Sequence, residues 1–431
     1  MIRLIEVKNY RSLRYLSRAL DNFHVLVGAN ATGKSTFLDV IQFLSDIVNH
    51  GIDKAINGDD NILASRASYI DELTFAGKGG DIEFAIEVAL PDRIVSLFNG
   101  RNFTTIRYEI TIGKQEDTNE NALKKERVTL MSANSKAEAK KSPQARLMFP
   151  EFQNESRDSL MAKYKSDQYR HVISKKEEGN ANFYNELYGE SGKGWIPSFK
   201  LGIKKSALAN LPEDETKFPA TTWLKFFLQQ GVQKLVLNSS LISKPSPSGQ
   251  SQYFKTDGSN LPWVIENLKK DNKKFTQWIE HIQTALPDIF NITTFERPED
   301  RHRYLKITYD NGIEVPSWLI SDGTLRLLAL TILAYIKDIN GVFLIEEPEN
   351  GIHPKAIECV YQSLSSVYSA QILLASHSPI ILSMMALEHL LCFGKTKDGV
   401  TDIVKGTEHP KLLEWKGNPN LSLIFASGIL S

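Results

Sequence analysis

Two cysteines, Cys359 and Cys392, are all that a chain of 431 residues contains. Neither a disulfide framework nor a four-cysteine metal site can be built from them within one chain, and buried thiols are the simpler expectation. Net charge is missing too, because Lys plus Arg and Asp plus Glu both total 51. The chain as a whole therefore exerts no general attraction on nucleic acid or anionic lipid, and any such binding has to come from a local patch. Long apolar runs are also lacking. The best candidates, Leu325 to Ile336 and Ile372 to Leu387, are interrupted by Arg326 or by Ser376, His377 and Pro379, and are too short to span a bilayer. The opening Met1 to Lys8 alternates like a strand and lacks the charged-then-apolar plan of a secretory leader. The expected location is the cytoplasm, with no membrane association.

What is present is ordinary globular composition, 42% hydrophobic and 24% charged, at a length beyond one ordinary domain. The apolar run Phe23 to Val27 reads as a buried strand, and Gly28-Ala29-Asn30-Ala31-Thr32-Gly33-Lys34-Ser35-Thr36 follows it directly. That fits G-x-x-x-x-G-K-[ST], in which glycines let the backbone wrap so that its N–H groups face phosphate oxygens. The helix opening at Gly33 points its positive end at the same charge. Lys34 is expected to reach the β- and γ-phosphates and Ser35 to offer its hydroxyl to Mg²⁺, while Phe37, Leu38, Val40, Ile41 and Leu44 give the next segment helical spacing. Gly28, Asn30, Gly33, Lys34, Ser35 and Thr36 are the candidate nucleotide-binding residues of this loop.

Far along the chain, Val342-Phe343-Leu344-Ile345 runs into Glu346-Glu347-Pro348-Glu349. An apolar strand ending in two carboxylates is a Walker B arrangement. Glu346 is expected in the magnesium shell, and Glu347 is placed to orient and deprotonate an attacking water. A solvated acidic loop would explain the charges but not their position straight after four apolar residues. A further strand, Gln371 to Ala375, leads into Ser376-His377-Ser378-Pro379, which puts His377 at a sheet edge where ligands of α/β folds gather. Between these blocks, Ser321 stands before the apolar helix Asp322 to Leu330 as a natural N-cap, and Gly323 permits close backbone approach. Ser321 and Gly323 would thus form a second anion-accepting helix end.

With all four motifs in order, the chain resembles the ABC-type ATPases of the SMC, RecF and OLD (overcoming lysogenization defect) group. Val7 to Leu13 looks like that group's first strand and turn, Ser321-Asp322-Gly323-Thr324 its signature loop, Glu346 to Pro354 its Walker B and D-loop, and His377 its switch histidine. The motifs occupy two blocks, near residues 1–50 and 315–395. The resemblance implies an α/β fold of the ABC-type P-loop class, with a mixed central sheet, an antiparallel β-subdomain and a helical insertion lobe. It also implies ATP and Mg²⁺ as cofactors, and a homodimer in which the signature loop of one subunit closes over ATP held by the other. Glu346 stands where many ABC proteins have Asp, and Asp322 with Thr324 replaces the Gly and Gln of the transporter signature. Both variants look like the OLD-related branch.

Strand-like alternation from Asp71 to about Leu90 and from Phe103 to Ile112 suggests the antiparallel sheet. The stretch from Lys114 to Gly194 is polar, with the pairs Lys124-Lys125, Lys140-Lys141 and Lys175-Lys176 beside acidic residues. A solvated, partly mobile insertion is the favoured reading over a nucleic-acid surface, and no heptad repeat supports long coiled-coil arms. Trp223 to Gly231 and Leu261 to Leu286 have helical spacing, and Trp195, Trp223, Trp263 and Trp278 read as packing residues rather than base-stacking platforms. The expected division is 1–113 with the phosphate loop and β-subdomain, 114–300 as an inserted, mostly helical and polar lobe, and 301–431 with the signature, Walker B and switch histidine.

The group's OLD members carry a TOPRIM nuclease after the ATPase. Here the tail beyond His377 is shorter than the roughly 100 residues of an independent domain, and its carboxylates, Glu388, Asp398, Asp402, Glu408 and Glu414, are scattered. The expectation is an ATP-gated sensor or scaffold working with a separately encoded effector such as a nuclease, in anti-phage defence or DNA maintenance. The alternative is a RecF-like DNA clamp timed by ATP, which would need a contiguous basic surface.

Overall fold

The computed structural model describes residues 1–431 apart from 60–62, 99–101, 133–147, 152–157, 162–167, 178–179, 188–197, 251–252, 338, 414–420, 422–423 and 425–431. Lys140, Lys141, Gly194, Trp195 and Glu414, singled out above, lie outside the described residues. At the centre is a six-stranded sheet ordered Val232–Leu235, Val342–Glu346, Gln371–Ala375, Phe23–Val27, Leu390–Lys395, Thr401–Lys405. The first five strands run parallel and the last turns back antiparallel, which makes the sheet mixed.

Both faces of the sheet are buried at its central strands Val342–Glu346, Gln371–Ala375 and Phe23–Val27, and that is why these read as near-continuous apolar runs rather than alternating ones. Along Phe23–Val27, Leu26 faces one core while Phe23, Val25 and Val27 face the other. The same division separates Val342 and Leu344 from Phe343 and Ile345. One core is shared with the helix Lys34–His50 and an eight-stranded antiparallel sheet. The other core holds the helices Leu261–Leu268, Asn272–Ala285, Asp322–Thr331 and Pro354–Ser365, together with the three-stranded sheet Ile289–Glu296, Arg303–Tyr309, Glu314–Pro316. Trp278 is fully buried there and donates its indole N–H to Thr331 Oγ1 at 3.1 Å.

The eight-stranded sheet runs Leu13–Ala19, Ile2–Tyr10, Ile82–Ala89, Phe103–Lys114, Asn121–Ser132, Tyr169–Lys176, Ala181–Phe183, Ser198–Phe199. Two sequence expectations change here. The strand expected from Asp71 begins only at Ile82, because Ile70–Leu73 and Phe75–Gly77 form short 3₁₀ turns. The mostly helical lobe expected from residue 114 instead supplies four further strands of this sheet, so a division at 113 and 114 falls inside the hairpin between Phe103–Lys114 and Asn121–Ser132.

Inward-facing charge is what hid these strands. Glu126 is 1% exposed and accepts hydrogen bonds from Tyr108 Oη at 3.0 Å, Ser206 Oγ at 2.7 Å and the Leu208 amide at 3.0 Å. Lys175, also buried, donates to the carbonyls of Lys205 at 2.6 Å and Gly202 at 3.2 Å. On the neighbouring strands Arg107 bridges Glu6, Glu87 and Glu109. Buried ions of this kind are tolerated only when their partners are built in.

Among the described residues no helix is long and apolar enough to cross a membrane. Cys359 and Cys392 are both free and buried.

His24, on the phosphate-loop strand, has no exposed surface. Its Nε2 accepts from the Asp21 amide at 2.8 Å and its Nδ1 faces the His389 carbonyl at 3.3 Å, so the neutral ring satisfies both. Burial pushes its pKa down from 6.5 to about 4, against the opposing pull of Asp21. A histidine depressed in this way contributes stability that is fully present above pH 6.5 and lost as the pH falls toward 4. Urea unfolding midpoints should drop over that window, and His24→Gln should flatten the drop by about 1–3 kcal/mol.

Candidate functional site

The C-terminal ends of three parallel strands, Phe23–Val27, Gln371–Ala375 and Val342–Glu346, form one edge, and a cavity of about 320 Å³ opens there. Its lining includes Asn30, Gly33, Lys34, Ser35, Thr36, Glu346, Glu347 and His377. The backbone turns at Ala31 (φ 63°) and Gly33 (φ 101°) before the helix Lys34–His50 begins. Gly33 is required twice over. Its φ disfavours any side chain, and an added Cβ would sit 2.4 Å from Thr401 Oγ1.

Lys34 is 8% exposed, and its ammonium donates to the carbonyls of Gly28 at 2.7 Å and Ala29 at 3.0 Å, arching over the loop. Burial lowers its pKa from the ordinary value, while Glu347 and Glu346 pull the other way. Ser35 Oγ donates to Glu346 Oε2, joining two residues 311 positions apart. A hydroxyl and a carboxylate side by side offer the hard oxygen ligands that Mg²⁺ takes when phosphates complete its shell. The donor set thus fits that ion.

Glu347 is exposed and adopts φ 48°, an uncommon conformation for glutamate. Its amide donates to Ala375 O at 2.8 Å, and its Oε2 accepts from Asn350 Nδ2 at 2.5 Å. His377 is placed by Glu349, whose Oε1 accepts from Ser376 Oγ at 2.9 Å and from the His377 amide at 2.8 Å. Partial burial, and then Lys34, lower the His377 pKa, which keeps the ring neutral near pH 7.

Ser321 and Gly323 are not part of this cavity's lining. Ser321 Oγ caps the helix Asp322–Thr331 by accepting from the Thr324 amide at 3.2 Å. The close approach anticipated at Gly323 is made to this chain's own loop, since an added Cβ would lie 2.4 Å from Gly351 O. Arg326 fastens the same contact, donating to Asn350 O at 2.9 Å.

Sequence reasoning overlooked Arg11 and Ser12, which line the cavity, Asn350, which holds Glu347, and Lys234, whose Nζ lies 2.7 Å from Glu346 Oε1. Arg11 sits in the turn joining the first two strands and pairs with Asp39 at 3.3 Å. Its signal was the quoted segment Val7 to Leu13, from which no side chain was singled out.

A strand–loop–helix phosphate cradle facing two strand-end carboxylates and a histidine, on a mixed sheet flanked by an antiparallel one, defines a P-loop fold of the ABC type. The chain belongs to the family described as "AAA domain, putative AbiEii toxin, Type IV TA system", whose profile matches residues 23–383. It is similar to the Old nuclease of Escherichia phage P2, 23% identical over 403 residues. That match takes in 88% of this chain and 56% of the phage protein, so the chain spans little more than half its relative's length. Among solved structures it is similar to an SmcHead bound to the C-winged helix domain of ScpA, with TM-score 0.50, 14% identity and coverage of 94% and 96% of the two chains. An Smc head with an extended coiled coil, bound to the C-terminal domain of ScpA derived from Pyrococcus furiosus, gives 0.46, 15% identity and coverage of 96% and 98%. The profile sets the family, and the likeness to the SmcHead at TM-score 0.50 is one of fold.

Two substitutions away from the cavity test the N-terminal end of the helix Asp322–Thr331. Ser321→Ala should cost about 1 kcal/mol through the lost cap, and Gly323→Ala about 1–3 kcal/mol through the enforced shift of Gly351. Chemical denaturation without nucleotide would read both.

Proposed function

We propose that this ATPase binds ATP with Mg²⁺ in the cavity, hydrolyses it, and uses the cycle to open and close a pair of identical subunits. The observation that carries the proposal is the convergence of Lys34, Ser35, Glu346, Glu347 and His377 in one cavity while the signature residues Ser321 and Gly323 lie outside it. In this reading Gly28, Asn30, Gly33 and Thr36 shape the phosphate cradle, and Lys34 swings from its carbonyl partners to the β- and γ-phosphates. Ser35 and Glu346 hold Mg²⁺, which supplies charge neutralisation of the triphosphate. Glu347 takes the proton of the attacking water, and neutral His377 donates a hydrogen bond on the γ-phosphate side.

The capped helix end at Ser321 becomes an anion-accepting end only when aimed at ATP held by a second copy, so two copies share two sites across a two-fold axis. Binding and pairing are then linked, and hydrolysis loosens the pair. We assign the output to a separately encoded effector. A nuclease is the first candidate, because the phage relative that this chain matches over 56% of its length is named for that activity. Anti-phage defence or DNA maintenance in the cytoplasm is the setting this suggests.

Lys34→Ala should abolish ATP binding in calorimetry, and wild-type affinity would remove the premise. Glu347→Gln should bind ATP and lose hydrolysis by about 10²–10⁴-fold; unchanged turnover would move the base elsewhere. Mixing Lys34→Ala with Ser321→Arg subunits, each inactive alone, should restore partial ATPase activity through one intact shared site. Mixed dimers that form yet stay inactive would overturn the shared-site reading.

A further inference from the structure

The edge strand of the central sheet, Val232–Leu235, pairs in parallel with the Walker B strand, setting Lys234 beside Leu344 and Leu235 beside Ile345. Lys234 therefore stands two residues short of Glu346 on the neighbouring strand, about 7 Å along the chain direction. Its stem covers that gap, and its ammonium ends 2.7 Å from Glu346 Oε1. Glu346 Oε2 meanwhile accepts from Ser35 Oγ. Both oxygens of the carboxylate are thus engaged, one by the hydroxyl of Ser35 and the other by the ammonium of Lys234. The other cations of the cavity are turned elsewhere: Lys34 donates to Gly28 and Ala29, and Arg11 pairs with Asp39.

We propose that Lys234 is a tethered counter-cation that competes with the divalent ion for Glu346 and so sets how much Mg²⁺ the site needs before it takes nucleotide. The inference rests on the metal-site reading given above and names a positioning residue within it. An ion pair this open, with side chains 41% and 26% exposed, adds little to folding stability, so its effect is felt in the site. A divalent ion approaching Glu346 must displace the ammonium or bind a carboxylate whose charge is already partly cancelled, with a like charge close by. Reach is what makes lysine fit the task, since its flexible stem can withdraw the charge into solvent once the ion has arrived. The plainer role for an edge-strand lysine is to keep other strands from pairing there. That role would alter aggregation and leave the metal requirement untouched.

The test uses the full chain and measures binding of a fluorescent ATP analogue across a Mg²⁺ series, a readout independent of turnover. Lys234→Met and Lys234→Gln should lower the Mg²⁺ midpoint by about 2- to 5-fold, while Lys234→Arg, which keeps the charge, should stay at the wild-type value. Melting in EDTA checks that each variant is folded. A midpoint unchanged or raised in both neutral variants overturns the proposal. Ser35→Ala separates this from failure of the site reading. If Ser35→Ala shifts the midpoint and Lys234→Met does not, only the role of Lys234 falls. If Ser35→Ala has no effect on the Mg²⁺ dependence, the metal site is wrongly placed and the inference falls with it.

Discussion

The constraint on which the rest depends is the parallel pairing of Gln371–Ala375 between Phe23–Val27 and Val342–Glu346. Because all three strands point the same way, their C-terminal ends share one edge, and the phosphate loop, the two carboxylates and the histidine emerge together. A ladder of backbone hydrogen bonds sets this spacing more rigidly than side-chain contacts could. The Ser35–Glu346 hydrogen bond is its outcome rather than its cause. The two apolar cores on either side hold the ladder in place.

Beyond that edge, the loop after the strand Val342–Glu346 ties two parts of the proposed site together within one chain. Glu347 is held at a left-handed φ of 48°, its carboxylate on Asn350, while Asn350 O takes Arg326 from the signature helix. Gly323 rests on Gly351 with no room for a single carbon between them. The helix end that carries Ser321 cannot shift without moving the loop that carries Glu347. Backbone strain at such a place is maintained by the surrounding contacts, and these are the contacts that maintain it.

The positions of the phosphate loop, Glu346, Glu347 and His377 at one sheet edge were legible because short buried strands leave near-continuous apolar runs and these residues follow them at once. The strands at Asn121–Ser132 and Tyr169–Lys176 were not, because Glu126 and Lys175 turn inward to meet backbone groups that sequence cannot show. Alternation tracks polarity, and it fails where a charge is buried with partners supplied by distant turns. Lys234 was invisible for a related reason: a lysine on a short edge strand carries no pattern, and its meaning comes from parallel register with a strand more than a hundred residues away.

The long insertion between the two halves of the site also has a consequence for synthesis. Ser35 leaves the ribosome 311 residues ahead of Glu346, roughly 15 to 60 s at about 5–20 residues per second. During that interval the strand Phe23–Val27 has neither of its parallel neighbours, although both its faces carry apolar side chains that end up buried. The nascent chain must shelter an unpaired, largely apolar strand until its partners arrive. The antiparallel strands made meanwhile, with the helix Lys34–His50 packed against them, are the surface on which it can wait.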